Sequence, residues 1–274
     1  MYATKSTKAF LHLLRLLYKN RELIYEMTRR DLADKYVGQA FGLMWSVCHP
    51  IFLICLYVFV FAFVFKQKFG GTADLPLDYT AFLLSGLVPW LGLQEALSKS
   101  CTTITSNSAL VKQVVFPLEV LPIKSVLASL FPQLVSLSVI IIYVFMVNNS
   151  LLVSYLALPF IMIFQFMFMT GIAYFLSPIG VYFRDLKDFV QLFCISGIYL
   201  LPVFYLPDMV PRLFKPVLFL NPFSHLIWCY QDTLFYGRMQ HPFSWMIVIG
   251  ISLFTFTFGY RFFKLVRPQL GNIL

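Results

Sequence analysis

Charge-free apolar runs alternate with short polar connectors along almost the whole chain. A helix crossing the roughly 30 Å hydrocarbon core of a bilayer needs about 20 mostly apolar residues. Residues 45–65 meet this without a formal charge, and residues 79–97 follow with one acid, Glu95, near their far end. Residues 125–147 and 151–176 carry no charge, and the Asn148-Asn149-Ser150 turn between them predicts a helical hairpin. Residues 189–206, interrupted by Pro202, and 243–260 give a fifth and a sixth span, which puts both chain ends on one side of the membrane. The stretch 207–235 is apolar but holds Asn221-Pro222, His225 and Asp232. Broken helices at membrane depth need protein or a cavity around their backbone, so this stretch is read as a re-entrant helical hairpin between spans five and six.

Ahead of the first span, Lys8, His12, Arg15, Lys19, Glu22 and Glu26 recur at three- and four-residue steps, with Leu13 and Leu17 on the opposite face. That spacing predicts an amphipathic helix within 8–37, suited to the cytoplasmic membrane interface or to packing on another subunit. The expected fold is an all-α membrane protein forming one domain over 1–274.

Composition agrees. Hydrophobic residues make up 59% of the chain and charged residues 12%, against roughly 25% charged in a soluble domain. A disordered chain, a coiled coil and an ordinary soluble enzyme are thereby excluded. Of the 21 Lys and Arg, sixteen fall before the first span or in connectors on its side. The positive-inside rule then makes both termini cytoplasmic. The cations do not gather into one long patch, so a nucleic-acid partner is not expected. Cys48, Cys55, Cys101, Cys194 and Cys229 form no CxxC pair or His-spaced cluster, so they read as packing residues and no metal site is expected. The first apolar stretch, Phe10 to Tyr18, is short and interrupted by His12 and Arg15, so the first span is expected to act as an uncleaved anchor.

Chemistry is harder to find. The chain has no GxxxxGK[ST] phosphate loop, no HExxH, no GxSxG and no DxD pair. His49, beside Pro50, stands only about one turn inside the first span and reads as a neutral, hydrogen-bonded residue. Glu95 is the one acid inside a span. A membrane enzyme would gather catalytic side chains in a loop, and none does so. The chain therefore needs an energy-supplying partner, or it is a passive channel.

The segment entering the first span reads Arg30-Asp31-Leu32-Ala33-Asp34-Lys35-Tyr36-Val37-Gly38-Gln39-Ala40-Phe41-Gly42-Leu43-Met44-Trp45, then Pro50. It resembles the opening signature of ABC-2 type permeases that export polysaccharides. Ser85-Gly86-Leu87-Val88-Pro89-Trp90 resembles that family's second span. Asn107, Leu110-Val111-Lys112, Phe116-Pro117-Leu118-Glu119 and Leu121-Pro122 resemble its cytoplasmic connector. Val181-Tyr182-Phe183-Arg184-Asp185-Leu186 resembles the loop after the fourth span, and Pro202 with Asn221-Pro222 stands where the family has its external hairpin. The segment before Arg29 is longer than a minimal permease needs.

The resemblance implies a homodimer in the bacterial cytoplasmic membrane, paired with two copies of a separate cytoplasmic ABC ATPase. That ATPase would bind ATP and magnesium, and this chain would bind no cofactor. The implied substrates are lipid-linked polysaccharides such as O-antigen or teichoic acid; a small amphiphile carried by the same architecture is the alternative. Glu22, Glu26, Lys112, Glu119, Arg184 and Asp185 are the expected contacts that couple ATP hydrolysis to the spans. Tyr57, Phe61, Tyr199, Phe204 and Tyr205 fall in the outer halves of spans one and five, where aromatic faces can stack on sugars or close a pore. Arg29 and Arg30 are candidates for the lipid-linked phosphate, since a guanidinium pairs with phosphate oxygens in bidentate fashion; anionic lipid headgroups would attract the same charges.

Overall fold

A computed structural model describes residues 13, 15–65, 76–112, 116–149 and 151–273. The described residues form helices joined by turns and short irregular segments, with no strand among them. The main helices are α1 (Arg21–Asp34), α2 (Trp45–Val58), α3 (Tyr79–Thr102), α4 (Val120–Asn148), α5 (Leu158–Tyr182), α6 (Leu186–Leu200), α7 (Pro222–Gln231) and α8 (Pro242–Ile273). Among the described residues, five segments are long and apolar enough to cross a membrane: Gly42–Val64, Tyr79–Thr102, Val120–Val147, Val153–Tyr182 and Pro242–Gly271.

The helices persist although Pro50, Pro89, Pro132, Pro178 and Pro268 lie inside them. Each removes a backbone donor and would break an isolated helix in water. Neighbouring helices and hydroxyl side chains compensate for such breaks in apolar surroundings. Ser85 and Ser100, in the helix that contains Pro89, satisfy their own hydroxyls by donating back to the Phe82 and Ala96 carbonyls at 2.6 Å. The expected hairpin is present: α4 ends on Asn149, whose φ of 52° is left-handed, the cap geometry that Asn tolerates. Ser150 lies outside the described residues, and a short 3₁₀ turn, Val153–Ala157, leads into α5.

α3 is the central column and is buried over most of its length, whereas Gly42–Val64 is the outermost of the five long segments. α5 and α8 make the most extensive pairing. A Cβ on Gly171 would run into the Thr255 backbone, and one on Gly259 into the carbonyl of Gly171. Only glycine lets these two helices approach so closely.

Two expectations are revised in detail. The run expected to span 189–206 is helical only from Leu186 to Leu200, 15 residues, or roughly 22 Å at 1.5 Å per residue. Leu201 turns extended (ψ 155°) ahead of Pro202, as a residue before proline prefers. The stretch 207–235 resolves into a 3₁₀ turn at Pro207–Met209, a short helix Lys215–Leu220, α7, and a π-helical turn at Asp232–Tyr236. α7 begins with Asn221 accepting from the Phe223 amide through its side chain, and it is buried from Ser224 onward.

Of the segment 8–37 expected to form an amphipathic helix, residues 8–12 and 14 lie outside the described part, and Arg21–Asp34 is helical. Leu13 and Ile24 are buried in a second core with Leu118, Val120, Tyr174 and Phe263. Its apolar face thus packs on the bundle itself.

Candidate functional site

Charged side chains collect where α1 crosses the bundle. Asp31 lies 3.0 Å from Lys124 of α4 and 3.9 Å from Lys99 of α3. Lys99 reaches Glu95 at 3.2 Å, and Glu95 also holds Lys35 at 2.9 Å. Lys124 is buried and donates further to Asn107 at 3.2 Å, and Asn107 donates to the Thr103 carbonyl at 2.7 Å. A buried ammonium is tolerated when it is paired and hydrogen-bonded. The set joins α1 and the residue after it, the last turns of α3, the connector and the second turn of α4. Burial alone would lower the Lys35 pKa, but the Glu95 hydrogen bond and charge, helped by Tyr36, leave it above the ordinary 10.5.

A second tie secures the connector to α8. Glu119 is buried, and its Oε1 accepts from Arg267 at 2.6 Å. Tyr174 of α5 donates to the Glu119 carbonyl at 3.1 Å. Glu119 was expected at a partner-facing surface; its side chain instead points inward to Arg267. Lys112, Arg184, Asp185, Glu22 and Glu26 are all exposed. Arg184 and Asp185 make no ion pair with a described residue. Arg30 pairs with Asp34 at 3.5 Å on the outer face of α1, and Arg29 lines a groove beside α4.

The aromatics expected along the path come together at the opposite end of the bundle. Tyr57 stacks on Phe61 with centroids 6.3 Å apart, and Phe61 meets Phe204 at 6.5 Å and Tyr79 at 6.1 Å. Tyr199 stacks on Phe204 at 5.9 Å, and the Tyr205 hydroxyl donates to the Tyr199 carbonyl at 3.1 Å. Tyr79, which was not singled out, fastens the group by donating to the Phe204 carbonyl at 2.9 Å. Spacing along one helix accounts for Tyr57 and Phe61, four apart. The meeting with Phe204 is tertiary.

Two buried polar clusters also went unread. Gln133 of α4 and Gln165 of α5 exchange hydrogen bonds at 2.9 and 2.8 Å, and Tyr230 of α7 bonds to both. Asp232, buried, accepts from the His241 amide at 3.0 Å and from the Trp245 ring at 3.0 Å, and its other oxygen meets His241 Nδ1 at 2.7 Å. These bonds pin the π turn to the start of α8. His49 lines a small cavity of about 150 Å³ with Glu95, Ser129, Gln133 and Ser136. All five cysteines are free; Cys101, Cys194 and Cys229 are buried, while Cys48 and Cys55 are exposed. Among the described residues no group of His, Cys, Asp and Glu could hold a metal ion.

The model of the ABC-2 type transporter family matches residues 22–235. The chain belongs to the ABC-2 type transporter family. An O-antigen export system permease protein RfbA of Klebsiella pneumoniae is 28% identical over 254 residues, covering 89% of this chain and 95% of that protein. A protein of the same name from Myxococcus xanthus is 26% identical over 247 residues, covering 89% and 92%. An ABC-2 family chain of this kind is an integral inner-membrane transport subunit, and the ATPase of such an exporter is a separate chain.

Proposed function

We propose that this ABC-2 chain is the permease of an ATP-driven exporter that moves a lipid-linked cell-surface polysaccharide across the cytoplasmic membrane. The observation that carries this reading is the near full-length similarity to O-antigen export permeases, covering 89% of this chain and 95% of the relative. In this reading two copies of the chain assemble with two copies of a cytoplasmic ABC ATPase. ATP and its magnesium are held on that partner, and none is held here.

Six crossings follow if α6, with the turns and bends over 201–206, is counted beside the five long segments. Two facts support this: α6 starts next to the end of α5, and Phe204 meets Tyr79 at the far end of α3. Residues 207–235 then form the external re-entrant hairpin. Both termini lie in the cytoplasm, on the side that holds sixteen of the 21 cations, with α1 at the membrane interface.

Coupling enters at the end where α1 lies. The exposed Glu22, Glu26, Lys112, Arg184 and Asp185 are the partner-facing contacts. The Asp31–Lys124 pair and the Glu119–Arg267 pair pass a push to α3, α4 and α8. Tyr57, Phe61, Tyr199, Phe204 and Tyr205 form the exit side of the path, where rigid rings stack on sugar faces without a fixed charge.

Deleting the gene and fractionating the cells tests the substrate: undecaprenyl-linked polymer should accumulate in the cytoplasm, and normal surface glycan would discard the reading. Arg184→Ala tests coupling separately. It should abolish ATP-dependent export while the permease still reaches the membrane; unchanged export would remove Arg184 from the coupling surface.

A further inference from the structure

An open groove of about 670 Å³ runs between the N-terminal helix and the outer faces of α4 and α5. Its floor is apolar: Leu127, Leu130, Phe131 and Leu134 of α4 with Met162 of α5. The α1 wall carries Arg21, Tyr25 and Arg29, spaced four residues apart and so stacked on one helix face. Arg21 is held over the Tyr18 ring at 4.7 Å, and neither arginine forms an ion pair with a described residue. No residue of α2 or α6 lines the groove, so it lies apart from the aromatic cluster.

The level in the bundle fits one ligand chemistry. Asp31 meets Lys124 near the start of α4, so α1 lies at the membrane-water boundary of this integral membrane protein. Leu134 stands ten residues further along α4, roughly 15 Å deeper at 1.5 Å per residue. A ligand filling the groove therefore meets two guanidinium groups at headgroup depth and only apolar carbon below them. The volume is that of an ordinary small-molecule site. Phe131 and Leu134 are 37% and 47% exposed, so the floor is open to the bilayer side and an acyl chain can enter laterally.

We infer that this groove is a binding site for one anionic diacyl phospholipid, its headgroup against the α1 wall that carries Arg21 and Arg29 and one acyl chain along α4. A bound lipid of this kind would fill the gap beneath α1 and hold that helix against the bundle. The occupant is a resident lipid of the cytoplasmic leaflet, not the transported glycolipid, because the groove is lined by neither helix of the aromatic path. The assignment rests on the chain being a membrane subunit and not on the identity of its cargo.

Native mass spectrometry of the full-length permease in mild detergent tests it, with phosphatidylglycerol, phosphatidylcholine and undecaprenyl phosphate each added as probe. Wild type should retain phosphatidylglycerol in preference to both others. Each arginine near a charged lipid surface contributes about 1 kcal/mol, so R21Q/R29Q should weaken phosphatidylglycerol retention about thirtyfold. R21K/R29K should keep most of it. Leu134→Trp, which fills the groove from its exposed side, should lower retention with both arginines in place. Circular dichroism and gel filtration confirm that each variant is folded. Equal retention by wild type and folded R21Q/R29Q overturns the site, as does a preference for undecaprenyl phosphate. A failure of glycan export tests the cargo instead and leaves these outcomes unaffected.

Discussion

Lys124 shows how a single side chain constrains the rest. It is 5% exposed, and Asp31 and Asn107 supply its two partners. Removing the carboxylate leaves a buried ammonium held by one neutral amide, and breaking a buried pair from one side costs about 3–5 kcal/mol. Asp31 is a quarter exposed and Asn107 remains, which places Asp31→Ala at the lower end, about 3 kcal/mol. In a thermal melt of the purified permease this variant should lose several degrees, whereas Glu22→Ala, on the exposed face of α1, should change stability by under about 0.5 kcal/mol. Comparable melting of both variants would mean that the network does not anchor α1. Glu119 differs in kind. Its partner Arg267 is 40% exposed, so Glu119→Ala returns the guanidinium to water and should cost less than Asp31→Ala in the same assay.

Among the elements, the contact between α5 and α8 leaves no room for an added side chain at Gly171 or Gly259. Val at position 171 would place a branched side chain against the Thr255 backbone, which cannot rotate away as a side chain could. Overpacking typically costs 1–3 kcal/mol, and a backbone collision belongs at or above the top of that range. Gly171→Val should therefore sharply reduce the yield of folded permease in membranes. Gly250→Ala, where an added Cβ meets nothing within 4 Å, should leave it near wild type. Equal yields would show that the two helices are free to separate. The elements that sequence made legible are those whose signal is local. An uncharged run of about 20 residues states its own helix, and Asn149 between two such runs states its own turn. α6 was read too long because apolar character continues past Pro202, although the backbone constraint before proline ends the helix at Leu200. The ion network was not legible because its members are brought together by folding alone: Lys35 and Glu95 are 60 residues apart, and Asp31 and Lys124 are 93 apart. Glu119 misled for the same reason, since a charge in a connector looks solvent-facing until Arg267 is placed beside it.

At the scale of the whole molecule, the outward surfaces of α2 and α6 are the least satisfied apolar faces beside the aromatic cluster. Phe52, Leu56, Phe59 and Phe63 on the α2 segment, with Leu192, Ile195 and Tyr199 on α6, are exposed. In lipid such faces cost nothing, so exposure by itself does not separate a lipid contact from a wall shared with a second copy. The proposed path requires that some of the clustered rings meet water in the assembled exporter, and this can be read directly. After replacement of the exposed Cys48 and Cys55, single cysteines at 57, 61, 199, 204 and 205 should be labelled by a membrane-impermeant thiol reagent added from outside. Labelling should rise during ATP hydrolysis at positions 61 and 204, whose rings touch across the two segments and must part to admit a hydrated sugar chain. Phe204→Ala should likewise let a small charged dye leak from proteoliposomes that the wild type keeps sealed. Reaction with lipid-soluble reagents alone, unchanged by ATP, would place the cluster against the bilayer and move the path elsewhere in the assembly.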